Sequence, residues 1–173
     1  MKIGENAMRL PIASRQTPRV AVSVLFIYLS LPPTLAQALD VYANPAQIAE
    51  LLQQEGYLAK IENRGEDNIF ISSKSEGLTW IVDFYGCVKR KNCSSIQFTT
   101  GFTFDKKAKP TLEKLNSWNR DKRYVAAYAD TDGDPHLFYD INLAEGISET
   151  TFKKSLDTWT TILGNFAKYI GYN

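Results

Sequence analysis

The chain has 173 residues, with 20 basic and 19 acidic side chains and a formal net charge of +1. Nothing in that balance suggests nucleic-acid binding, which usually needs a strongly basic face. Two cysteines and a single histidine are too few for a cysteine–histidine zinc site.

Residues 1–38 read as a cleaved secretory signal peptide, which combines a basic start, a short apolar stretch and a small-residue cleavage site. Lys2, Arg9, Arg15 and Arg19 supply the first, with Glu5 as its only acid, and Val20 to Leu31 is apolar apart from Ser23 and Ser30. Pro32 and Pro33 end any helix there, because proline lacks the N–H and clashes with the preceding turn. Ala36-Gln37-Ala38 then offers small side chains at both positions of an Ala-x-Ala site, with cleavage after Ala38. A membrane anchor is the alternative, but a spanning helix needs about 20 apolar residues, and this stretch is 12 residues long. No cysteine lies near the cleavage site to carry a lipid, and Met8 is a second candidate start. The expected location is periplasmic or secreted, with no membrane attachment after cleavage.

Cleavage would leave residues 39–173 as a single domain, with 16 basic and 18 acidic residues and a formal net charge of −2. Asn44-Pro45 opens a helix over about 45 to 55, with Asn as the cap and Pro at the first helical position. Ile48, Leu51 and Leu52 share a face, and Gly56 supplies the left-handed exit. Four strands follow: 57–62, 68–73, 78–85 and 95–104, joined by short turns at 63–67 and 75–77 as an antiparallel meander.

Cys87 and Cys93 flank the loop 88–92 between the last two strands. In an oxidising compartment an isolated pair is most simply a disulfide clamping the hairpin. Metal or redox use is the alternative, but the spacing is not Cys-x-x-Cys, and His136 is distant in sequence. The loop residues Lys89-Arg90-Lys91 form a small basic tip, either solvated or set against an anionic partner.

A second helix begins near Pro110, with Leu112, Leu115 and Trp118 at helical spacing. Strands at 123–129 and 137–143 flank the turn Asp132-Gly133-Asp134-Pro135. Ser148 caps a third helix whose Phe152, Leu156, Trp159, Leu163, Phe166 and Ile170 form an apolar stripe. The order α-β-β-β-β-α-β-β-α predicts an α+β fold with helices packed on an antiparallel sheet.

The densest polar stretch runs from Asn116 to Asn142. Leu115-Asn116-Ser117-Trp118-Asn119 with Arg123-Tyr124, Tyr128-Ala129-Asp130-Thr131-Asp132-Gly133-Asp134, and Asp140-Ile141-Asn142-Leu143 resemble the YbjN family of bacterial proteins. The likeness extends more loosely over residues 44–172. It implies a fold like that of type III secretion chaperones, a label of sensory transduction regulator, and a homodimer. The export signal and cysteine pair set this chain apart from many relatives, so a cytoplasmic chaperone role does not carry over.

The candidate cluster is therefore Asn116, Trp118, Asn119, Arg123, Asp130, Asp132, Asp134, Asp140 and Asn142. Its structural reading is capping and core anchoring where helix gives way to strand, with Asp140 and Asn142 sharing one strand face. Its functional reading is a polar ligand pocket. The Asp130–Asp134 run could suggest calcium, yet an EF-hand places glycine sixth and a glutamate twelfth. Here Gly133 comes fourth and strands flank it, which reads as a hairpin turn. His136 has no nucleophile motif to serve and reads as a surface or turn-flanking residue. No metal or cofactor is expected. The expected function is a non-enzymatic binding module for a protein or peptide partner; the alternative is a hydrolase using the Asp130–Asp140 carboxylates.

Overall fold

The computed structural model describes residues 40–65, 68–89, 92–105 and 107–172. The segment 1–38 read as a signal peptide, with Ala36 and Ala38, lies outside the described residues, as do Glu66, Asp67, Arg90 and Lys91.

A two-residue strand, β1 (Asp40–Val41), leads into α1 (Pro45–Gln54). Asn44 caps α1 by accepting from the Ala46 and Gln47 N–H groups, and Ile48, Leu51 and Leu52 are buried. Gly56 ends it at φ 84°, and the Tyr57 N–H closes back on the Leu52 carbonyl at 2.9 Å. With the Gly56 N–H on the Gln53 carbonyl at 3.0 Å, it satisfies carbonyls the helix would leave free.

Four antiparallel strands follow: β2 (Lys60–Arg64), β3 (Asn68–Ser75), β4 (Leu78–Tyr85) and β5 (Ser95–Gly101). β2 starts later than the alternation of 57–62 predicts. Tyr57 instead turns into the core, edge-on to the Trp80 ring, and Gln53 holds the Ala59 carbonyl at 3.2 Å. The β3–β4 turn is Glu76-Gly77, both at positive φ, as a two-residue type I′ hairpin requires. β5 stops at Gly101 rather than at Phe104 because the Phe104 N–H is taken by the Asp134 carboxylate at 3.1 Å.

The chain then forms α2 (Leu112–Asp121), β6 (Ala126–Ala129), β7 (Pro135–Asn142), β8 (Ile147–Ser148) and α3 (Glu149–Ile170). β6 begins after Tyr124, whose φ of 72° no strand accommodates, so the strand is shorter than 123–129. β1 and β8 pair with each other. Strands of two residues carry no readable alternation, so neither was predicted.

The main sheet has six strands in the order β2-β3-β4-β5-β7-β6, every pair antiparallel. The fold is α+β, with the predicted element order and the small β1–β8 pair added to it.

One face of the sheet carries the core. Trp80 meets Phe98 and Trp159 edge-on or tilted at 5.6 and 6.1 Å between ring centres, and Phe98 meets Phe152 at 6.3 Å. The whole predicted stripe of α3 is buried. Each large side chain so buried contributes about 1.5–3 kcal/mol. Trp118 extends this core from α2, lying 4.9 Å from Phe166 and 5.2 Å from Tyr169. Lys153 ties the helices together, bridging Glu55 and Glu149 at 2.8 Å each.

Cys87 and Cys93 are joined as a disulfide across the β4–β5 hairpin, as predicted. Cys93 also bridges Ala43, so the clamped hairpin holds the segment entering α1. No helix among the described residues is long and apolar enough to cross a membrane.

Candidate functional site

Alternation sends one half of the strand residues away from the helices. On this open face, register aligns Phe70, Asp83, Gln97 and Asp140 in one cross-strand row. A second row aligns Ser72, Ile81, Thr99 and Phe138. A groove of about 540 Å³ runs over them, walled by Arg64, Tyr85, Tyr128 and His136.

Its side chains are organised by hydrogen bonds. The Tyr85 hydroxyl donates to the Gln97 Oε1 at 3.4 Å, and the Gln97 Nε2 donates to the Asp140 Oδ1 at 2.8 Å. The Arg64 guanidinium lies over the Phe70 ring, 4.3 Å from its centre, and reaches the Asp83 Oδ1 at 3.4 Å. Burial pushes the Asp83 carboxyl above the usual aspartate range, against the pull of Arg64. Burial likewise raises the Tyr85 hydroxyl, and the nearby Asp83 and Asp140 carboxylates raise it further.

The far wall rests on a glycine. Tyr128 stacks on His136 with ring centres 5.0 Å apart and planes 16° apart. The imidazole lies across β5 at Gly101, where a Cβ would stand 2.6 Å from its Cε1. Glycine is thus what allows the His136 ring to lie against the sheet. The His136 Nε2 faces the Asp130 Oδ2 at 3.4 Å.

The sequence-predicted cluster divides among three places. On α2, the Asn119 Oδ1 accepts from the Ala127 N–H at 2.8 Å and its Nδ2 donates to the Ala127 carbonyl at 2.9 Å. Trp118 is buried, whereas Asn116 is exposed, and exposed Arg123 lies 5.1 Å from the Tyr124 ring centre.

In the β6–β7 turn, the Asp130 Oδ1 accepts from the Asp132 and Asp134 N–H groups at 3.0 and 2.8 Å. These bonds hold the Asp130 carboxyl below the usual range. Lys109 stands 2.9 Å from Asp134 and, with the Phe104 N–H, holds that carboxyl low as well. Lys109 also donates to the Asp132 carbonyl at 2.8 Å.

On β7, Asp140 joins the open face through Gln97. Asn142 shares that face and accepts from the Ala144 N–H at 3.0 Å. Among the described residues no group of three or more histidine, cysteine, aspartate or glutamate side chains is gathered for a metal ion.

Sequence reasoning missed Tyr85, Asp83, Gln97 and Tyr128 as one site. Polar and aromatic residues at alternate positions of β4 and β5 were a signal for an uncovered face. What joins them to Asp140 and His136 is the placement of β7 between β5 and β6.

The chain is thus an α+β module whose sheet carries helices on one face and a lined groove on the other. The family model described as "Putative bacterial sensory transduction regulator", YbjN, matches residues 44–171. The chain belongs to the YbjN family. The match runs from the α1 cap to the α3 cap, and the family suggests a regulatory or binding module. No curated protein matches the chain.

Proposed function

We propose that this protein is an exported, non-catalytic binding module that holds an envelope component against the open face of its sheet. The groove over Gln97 and Thr99 carries this reading. It is of ligand size, and its walls combine exposed aromatic rings with a few convergent polar groups. Three carboxylates of the alternative hydrolase are already engaged: Asp130 and Asp134 with backbone N–H groups, Asp140 with Gln97, while Asp132 sits exposed at the turn. Export draws support from the basic-apolar-small pattern of residues 1–38 and from the disulfide, which persists in oxidising compartments.

The test is a Thr99→Arg variant, which places a long charged side chain on the groove floor while leaving the core face untouched. Tagged protein recovered from the native envelope should bring down a component that Thr99→Arg, folded to the same melting temperature, does not retain. Equal recovery by both proteins would contradict the reading.

A further inference from the structure

The chemistry of the groove narrows its ligand. Among the described residues that line it, one arginine and one aspartate, Arg64 and Asp83, face each other at 3.4 Å. A charged ligand would have to break that pair or lie beside an already neutralised one. A neutral ligand meets neither cost, since an unpaired charge in a partly buried site is unfavourable. The lining is nevertheless more polar than apolar, which does not suit an amphipathic helix. An extended peptide that adds a strand pairs with backbone at a sheet edge, whereas the floor here offers side chains in the middle of the sheet.

The polar groups that remain are those that bind hydroxyls. The Asp83 Oδ2 accepts no hydrogen bond among the described residues, and only the Arg64 contact reaches its partner oxygen. Gln97 presents an amide whose Oε1 is held only by the long 3.4 Å bond from Tyr85. Tyr85 and Tyr128, 46% and 48% exposed, offer ring surface beside them. A pyranose ring has an apolar C–H face that lies on an aromatic ring and a rim of hydroxyls that donate to carboxylate and amide oxygens. Both halves of that requirement are present here.

We infer that the open face binds a neutral oligosaccharide, with Tyr128 and Tyr85 as ring platforms and Asp83 and Gln97 as hydroxyl acceptors. This rests on the open face being the binding surface.

Calorimetric titration of the oxidised domain with neutral hexasaccharides tests it, using α-1,4-glucose, β-1,4-glucose and β-1,4-N-acetylglucosamine chains as probes. At least one should bind saturably with a millimolar or tighter constant. Tyr128→Ala and Asp83→Asn should each weaken it about tenfold, and Lys154→Ala, on the exposed surface of α3, should not. No saturable heat with any of the three, or tight binding of a sulfated oligosaccharide or a cationic peptide in their place, would overturn the inference. If Thr99→Arg still abolishes envelope capture while these sugars fail, the ligand class is wrong and the binding face stands. If capture is also unaffected, the reading of the face falls with it.

Discussion

The Asn119 side chain pairs with the backbone of Ala127 at both ends, accepting from its N–H at 2.8 Å and donating to its carbonyl at 2.9 Å. Ala127 lies on β6, the outer strand of the sheet, so the amide stands where a further strand would otherwise pair. An exposed strand edge invites pairing with another chain, and covering it is a common protection. Asn119→Ala should therefore cost about 2 kcal/mol, through two part-buried backbone groups left unpaired. Asn119→Asp keeps the acceptor and loses the donor, so it should fall between. Urea denaturation of the three proteins checks the order; equal stabilities would mean the edge does not depend on this residue.

The disulfide closes the β4–β5 hairpin and, through Cys93, steadies the segment at Ala43. Replacing both Cys87 and Cys93 with serine should lower stability by about 2 kcal/mol, the value for so short a loop in the chain-entropy model. Reductant should lower the melting temperature of the native domain and leave that of the double variant unchanged.

The aspartates act in opposite directions on acid stability. Asp130 and Asp134 have folded values below the ordinary 3.8. The stability they lend is complete above that value and is lost as pH falls through their folded values. Asp83 is raised above 3.8 by burial, so its charge destabilises the fold at neutral pH, and the penalty disappears as it protonates. Asp83→Asn should thus be more stable than the parent at neutral pH, and the gap should close by about pH 3. Asp134→Asn should be less stable at neutral pH and converge on the parent at low pH. Urea titrations across this range test both signs.

The proposed export makes a prediction about covalent structure. Protein recovered from an expressing bacterial envelope should begin at Leu39, immediately before β1, as read by intact mass. A mass retaining Val20 to Leu31 would indicate an anchor instead.

Much of the fold was legible because its cues are local. The Asn44 and Ser148 caps, the αL glycine at 56 and the α3 stripe each act within a few residues. The boundaries that shifted did so for tertiary reasons: Tyr57 turns into the core, and Asp134 takes the Phe104 N–H that would have extended β5. The groove was less legible because it depends on strand order. Gln97 meets Asp140, 43 residues away, only because β7 docks beside β5. The polar run from Asn116 to Asn142 is continuous in sequence, yet folding deals it to a strand edge, a turn and the open face.

The most direct test of the binding face is site-specific photocross-linking in the native envelope. A photoreactive side chain replaces Thr99 on the groove floor in one protein and Lys154 on the exposed surface of α3 in another. The binding-face account predicts a discrete adduct from position 99 that Tyr128→Ala diminishes, and none from position 154. Adducts from position 154 with none from position 99 would contradict it.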